Sequence, residues 1–401
     1  MTDDLPAFPM ARQCPFDPPA ELVDLAASRP IGRVRIWDGS TPWLLTRHDD
    51  VRAVLADRRF SSDPAKTGFP NQSPVSKFRR ERSKGSFLTM DDPEHARYRR
   101  MLVGEFTVRR IEALRPRIEA TVHALLDSMT AGPNPVDLVS AFALPLPSLV
   151  ICHLLGVPYA DHEFFQRQSS EMLDTTGDPA EALRAGKELA VYLYKLIKAK
   201  EAEPGDDLLS RLIDARLRTG ELTDREITSM AILLLVAGHE TTANQLALGV
   251  AALLRNPEQV EVLRTATEPE VINGAVEELL RLLTITHFGR RRIATEDVEL
   301  NGTLIKAGEG VIAAADIANR DPRLFADPEA FDPARTPNRH VAFGFGVHQC
   351  LGQPLARLEL QLALPALLRR FPDLRLAADL DHIPFRDKLP IYGPQELPVA
   401  W

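Results

Sequence analysis

The stretch HVAFGFGVHQCLGQPLAR, residues 340–357, holds one thiol, Cys350, among Gly344, Gly346 and Gly352. Phe343 lies seven residues before the thiol and His348 two before it. Two kinds of chemistry use a lone cysteine in such a loop. A nucleophile needs a histidine base and an orienting Asn or Asp, and an i, i+2 neighbour such as His348 does not ordinarily reach the thiolate. A ligand thiolate needs backbone N–H groups aimed at the sulfur, because these favour the charged form. It also gains from a helix start behind it, and the helical pattern resumes at about Leu351. Glycines permit positive φ and close approach to a flat partner. With an aromatic at Phe343, the loop suits a large planar ligand better than nucleophilic attack.

Three other clusters could do chemistry. AGHETT, 237–242, sits inside a long apolar helical run. Thr241 follows Ala237 by four residues, so its hydroxyl can bond that carbonyl and bend the helix. Glu240 is an acid in an apolar stretch, although Glu240 and the threonines read alone could mark a solvent-facing stripe. In EELLR, 277–281, Glu278 and Arg281 form an i, i+3 pair, worth about 0.2–0.5 kcal/mol on a helix surface. In DDPEHARYRRML, 91–102, His95 and Arg99 share one helix face. Arginine is suited to carboxylates by its planar fork.

The elements that must position these residues are mostly helical. Apolar periodicity predicts helices at 110–129, 181–202, 224–256, 269–283 and 351–371. Strand patterns are few: 31–37, 41–46, 291–305 and 308–319. The expectation is a mainly α fold with small β-sheets at the edges. The helix over 224–256 is apolar on several faces, as a helix crossing the centre of a domain is. One large domain over 1–401 is expected, with about 1–30 as an extended N-terminal segment.

Composition bounds the function classes. The 401 residues carry 48 Lys plus Arg against 56 Asp plus Glu, a formal charge of −8, which argues against general nucleic-acid binding. The acidic, Pro-rich N-terminus has no signal-peptide pattern. The longest apolar run near a helix, 230–238, is short of the roughly 20 residues a membrane span needs, so a cytoplasmic protein without membrane contact is expected. Cys14, Cys152 and Cys350 give no disulfide framework and no metal spacing. Cys152, in LVICHLLGV, reads as a core thiol.

The segment FGFGVHQCLG resembles the haem-binding signature of the cytochrome P450 monooxygenases, F-x-x-G-x-H-x-C-x-G, at every constrained position. AGHETT, EELLR and HARYR follow the family order. The resemblance implies a P450 fold with its long central helix across haem b, and Cys350 as the axial ligand of the iron. Phe343, Gly344 and Gly352 would shape the thiolate loop. His95, Arg99, Arg292 and His348 would hold the haem propionates. Glu240 and Thr241 would be the acid–alcohol pair that relays protons during dioxygen activation, with Gly238 leaving room for dioxygen. Glu278, Arg281 and Arg335 would form a structural triad behind the thiolate loop.

The resemblance also implies a pocket of Leu233, Val236, Ala237, His287, Phe288 and Ile391, with walls from about 72–90 and 165–185. MDDPEHARYRRMLVGEFT looks like the soluble actinomycete enzymes that hydroxylate macrolides, steroids, vitamin D and xenobiotics. An apolar pocket takes an apolar substrate. Electrons from NAD(P)H would arrive through a separate ferredoxin and its reductase, with Arg97 and Arg100 as docking candidates, and the protein would be a monomer. The expected place of His287 is facing water rather than a substrate oxygen. Arg97, Arg100, Arg290 and Arg291 read as a solvated basic face. His340 is either a propionate neighbour or a packing residue. The basic run KFRRERSK, 77–84, reads as a solvated loop, or as an attractor of an anionic substrate. Competing classes are a haem-thiolate peroxygenase or dehydratase that uses no dioxygen, a non-catalytic haem-binding protein, and a cysteine hydrolase.

Overall fold

The computed structural model describes residues 5–82, 86–174 and 177–401, apart from the side chains of 79–82. Most of the basic run 77–84 and parts of the stretches 72–90 and 165–185 therefore lie outside the described residues.

The axis of the molecule is the helix Asp224–Leu253. It begins with a capping box in which Thr223 and Glu226 exchange side-chain and backbone bonds, which satisfies two free N–H groups at the helix start. Almost every residue from Thr242 to Leu253 is buried, because helices Pro145–Leu155, Pro179–Ala202 and Gln353–Arg370 all pack on it. This burial agrees with a sequence that is apolar on several faces of the helix. The helix ends at Leu253 rather than 256, since Pro257 opens a new helix, Pro257–Thr265.

Two other helices differ from expectation. The 110–129 pattern is two helices, Val108–Glu112 and Arg115–Ala131. Pro116 sits in the first turn of the second, where its missing N–H costs nothing. The helix after Cys350 starts at Gln353, with Pro354 again in the first turn.

Among the described residues the strands form three small sheets. The largest contains β1 (Ile31–Arg33), β2 (Trp43–Leu45), β3 (Phe60–Ser61), β5 (Arg290–Ala294) and β8 (Gly310–Ala313), in the order β1-β2-β8-β5-β3. Only the β2–β8 pair is parallel, with Trp43 opposite Val311. β4 (Val136–Asp137), β10 (Pro398–Ala400) and β9 (Arg375–Leu376) make a second sheet in that order. β6 (Val298–Leu300) and β7 (Thr303–Ile305) make a hairpin, turned by Asn301 and Gly302 at positive φ. The 308–319 pattern is only half strand. After β8 it becomes the short helix Ala315–Ala318, in keeping with its alanine content. Among the described residues, no helix is long and apolar enough to cross a membrane.

Candidate active site

The Cys350 loop is folded back on itself. The Cys350 N–H donates to the Phe343 carbonyl at 2.9 Å, and the Gly352 N–H bonds the sulfur. Gly346 has φ 72°, and a Cβ there would meet the Leu55 carbonyl at 2.4 Å. Gly352 is different: its φ is −80° and nothing lies within 4 Å of a Cβ placed there, so its part is the N–H and not a special conformation. The thiol is deeply surrounded by protein yet has accessible surface. A side chain of that kind faces an internal hollow. Burial pushes the thiol pKa up, opposed by the Gly352 N–H and by Arg290, Arg99 and Arg357.

Four basic side chains gather beside this loop. The rings of His95 and His348 lie 4.1 Å apart. Arg99 donates to the Gln349 carbonyl at 2.7 Å and Arg292 to the Arg291 carbonyl at 2.8 Å. Among the described residues, no carboxylate forms an ion pair with Arg99 or Arg292. Asp91 is occupied by Ser61 and by the Ser62 N–H, and Asp92 by His95 at 3.3 Å. Burial, with Arg292 and His95 nearby, pushes His348 down to about 3. Burial followed by Arg290 brings Arg292 to about 10. His95 Nε2 is buried with no hydrogen-bond partner among the described residues. Such a cluster lacks its anions. A flat dianionic ligand whose carboxylates meet these groups, and whose metal meets Cys350, fits both observations, as haem does.

On the central helix, Leu233, Ala237 and Thr241 keep accessible surface while their neighbours Val236, Glu240 and Thr242 are buried. Residues at i, i+4 and i+8 share one face, so one stripe of this interior helix borders a hollow. Thr241 Oγ1 donates to the Ala237 carbonyl at 2.6 Å. Glu240 lies with one carboxylate oxygen 3.6 Å from His239 Nε2 and the other 3.3 Å from Arg386 Nη1. Gly238 has a packing reason besides the expected one: a Cβ there would meet Ile151 Cδ1 and Cγ1 at 2.8 Å.

Glu278 and Arg281 are both fully buried, unlike a surface pair. Arg281 Nε and Nη2 donate to the two Glu278 oxygens at 2.7 and 2.8 Å. Arg335 Nε, the Asn338 amide and the Asp332 N–H complete the carboxylate at 3.1, 2.9 and 3.0 Å. Burial alone would raise this carboxyl, but its donors hold it below its usual range. Arg281 also caps the carbonyls of Asn319, Pro328 and Ala330, which ties the chain leading to the cysteine loop.

A second brace was missed. Glu277 accepts from Arg357 Nε at 2.6 Å and from His340 Nε2 at 3.0 Å. Against its burial, His340 and Arg357 bring Glu277 down to about 2. His340 is thus a packing partner. Arg357 in turn lies over the Phe343 ring, 4.6 Å from its centroid. The doubled acid EE at 277–278 was the available signal.

Several expected positions need correction. His287 does not face water: it is 8% exposed, its Nε2 donates to the Leu389 carbonyl at 2.8 Å, and its ring stacks on Phe288. Arg290 and Arg291 are not a solvated face. Arg291 donates to the carbonyls of Pro70 and Asn71, and Arg290 to the Ala342 carbonyl at 2.7 Å. Both sit on the interior strand β5. Arg97 is committed to Glu226 at 3.0 Å and to the Glu221 carbonyl, while Arg100 stays exposed. Of the pocket set, Val236, His287 and Phe288 are buried, and Leu233 and Ile391 are half-buried. Cys152 is a core thiol, pushed up to about 12 by burial.

The cytochrome P450 family model matches residues 18–375. Cytochrome P450-SU2 of Streptomyces griseolus is 54% identical over 97% of this chain and 94% of that protein. Vitamin D3 dihydroxylase of the same species is 48% identical over 100% and 98%. The crystal structure of the mycinamicin VIII C21 methyl hydroxylase MycCI from Micromonospora griseorubida superposes with TM-score 0.93 at 42% identity, covering 99% of this chain and all of that one. The chain belongs to the cytochrome P450 family. It is a P450 monooxygenase, which brings with it haem, dioxygen, and electrons from NAD(P)H through redox partners.

Proposed function

We propose that the enzyme hydroxylates a largely apolar small molecule of the macrolide, steroid-like or xenobiotic kind, seated against Leu233, Val236, Ala237, His287, Phe288 and Ile391. The observation that carries this reading is the accessible stripe Leu233–Ala237–Thr241, set one residue from the buried acid Glu240 in the middle of the central helix. The names of two relatives, one a vitamin D3 dihydroxylase and one a mycinamicin VIII C21 methyl hydroxylase, support the substrate class. When bound, haem supplies dioxygen activation, leaving one oxygen atom in the substrate and the other in water.

The roles of the chain's own residues follow from their surroundings. Cys350 presents its sulfur from a loop with an N–H bond from Gly352 and positive charge from Arg290, Arg99 and Arg357, all of which favour the thiolate. His95, Arg99, Arg292 and His348 would hold the two propionates, the carboxylates that the cluster lacks. Thr241 holds its proton on the Ala237 carbonyl, and rotation of the hydroxyl away from that carbonyl offers the proton to the hollow. Glu240 re-supplies it. The Glu278–Arg281–Arg335 triad keeps the loop in register. A separate ferredoxin with its reductase supplies electrons, and exposed Arg100 contributes to its docking, a contact that weakens with salt.

The test is spectroscopic. Reduced protein under carbon monoxide should show the red-shifted Soret band of a thiolate-ligated haem, and Cys350→Ala should lose it. A band unchanged in Cys350→Ala rejects the ligand. A Soret-shift screen across macrolides, steroids and aromatic drugs then tests the substrate class, which falls if only small polar compounds move the band.

A further inference from the structure

The loop 384–395 joins the pocket to the proton relay. It is a closed hairpin-like turn: Phe385 bridges Pro394, the Arg386 N–H donates to the Gly393 carbonyl at 2.9 Å, and the Gln395 N–H to the Pro384 carbonyl at 2.8 Å. Its pocket end carries Ile391. That end is tied down by Tyr392 N–H to the Ile285 carbonyl and by His287 Nε2 to the Leu389 carbonyl, both at 2.8 Å.

Its other end lies on the central helix. Gly393 approaches so closely that a Cβ would stand 2.3 Å from Asn244 Oδ1. The Asn244 amide donates to the Glu240 carbonyl at 2.7 Å. From the same turn, Arg386 Nη1 reaches Glu240 Oε2 at 3.3 Å, with the two side chains 19% and 7% exposed. Arg386 Nε is buried and makes no hydrogen bond among the described residues.

Two features make this contact a hold that can open. A charge-assisted bond is usually about 2.7–2.9 Å and strongest when bidentate, whereas this one is single and long. On the opposite side, His239 Nδ1 donates to the Leu235 carbonyl at 2.7 Å. Its Nε2 therefore carries a lone pair toward Glu240 Oε1 and cannot stabilise the ionised acid. Arg386 is thus the only cation in ion-pair contact with Glu240 among the described residues.

We propose that Arg386 is the positioning residue of Glu240: it ties the relay carboxylate to the 384–395 loop, so that a ligand pressing on Ile391 loosens the tie and frees Glu240 to pass a proton. The inference rests on Glu240 serving the relay. Without pocket occupancy the acid stays clamped, and proton delivery is slow.

Two measurements on the haem-loaded enzyme test it. The first is a thermal double-mutant cycle with Arg386→Gln, Glu240→Gln and the double variant. A tie predicts non-additivity, the double variant melting no lower than the worse single one. Full additivity overturns the tie. The second is ligand-free NADPH consumption with a surrogate plant ferredoxin and reductase, read as peroxide released. Arg386→Gln should raise it several-fold, Arg386→Lys should return it toward wild type, and Glu240→Gln should abolish the rise in the double variant. A wild-type rate in Arg386→Gln overturns the gating. A rise that persists in the double variant, alongside a non-additive thermal cycle, overturns Glu240 as the relay acid and leaves the tie standing. Amide exchange adds a readout apart from turnover: 4-phenylimidazole, filling the pocket, should speed exchange at 385–395 in wild type, and slowed exchange there counts against the proposal.

Discussion

Gly344 and Arg290 share one space: a Cβ on Gly344 would stand 2.9 Å from Arg290 Nε. Gly344 has φ 75°, so the turn and the neighbour both require glycine. The close fit sets the Arg290 guanidinium under the thiolate loop, where its charge acts on Cys350. Replacing Arg290 by Leu removes a buried positive charge near the thiolate. The more positively charged ferric state then gains, so the haem reduction potential should fall. Spectroelectrochemical titration checks this, and an unchanged potential refutes the electrostatic role.

Thr241→Ala removes the hydroxyl that bonds the Ala237 carbonyl. Haem and ligand binding should persist, while electrons are lost to peroxide or excess water. Product formed per NADPH consumed is the measurement. Unchanged coupling would reject the assigned relay.

His287 should make the enzyme acid-sensitive. Burial holds it down to about 4, against an unfolded value of about 6.5. The unfolded chain thus binds the extra proton first, and stability falls as pH drops from about 6.5 toward 4. The loss approaches ~3 kcal/mol for this one group. His287→Phe should flatten the decline of Tm over that window. An equal slope in both proteins would mean that His287 is not a source of it.

Glu278→Gln leaves Arg281 and Arg335 without their shared anion. Breaking a buried pair from one side costs about 3–5 kcal/mol. The variant should melt far lower and retain less haem on purification, and a melting point within a degree of wild type would contradict the buried network.

Gly238→Ala should destabilise by about 1–3 kcal/mol through overpacking, less the roughly 1 kcal/mol that helix propensity returns. Ile151→Ala in the same chain should relieve much of that overpacking. Failure of the rescue would place the obstacle elsewhere than at Ile151.

The residues that could be read from sequence are those whose partners are close in the chain. Cys350, His348, Gly346 and Phe343 share one short loop, and Thr241 bonds a carbonyl four residues away. What escaped depends on distant packing. The pair Arg290 and Arg291 looks solvated in isolation, but β5 is an interior strand between β8 and β3, so both are drawn inside. Glu277 meets His340 and Arg357 across 63 and 80 residues, a separation that no local pattern records. The periodicity over 110–129 runs through the break before Pro116, so two helices look like one in sequence. The strand pattern at 308–319 hid a helix because small apolar residues serve either state in a covered layer.

The basic cluster of His95, Arg99, Arg292 and His348 has a consequence for the life of the protein in the cell. Without anions, Arg99 and Arg292 have no carboxylate partner among the described residues, and burial with their charges holds the His95 and His348 imidazoles below their usual pKa, so a newly made chain that has not acquired its cofactor is held together less firmly there. Haem, by binding the folded form only, shifts the balance toward it by mass action. Iron and porphyrin supply would then govern how much of this enzyme accumulates, because the unloaded chain opens more often and meets proteases sooner.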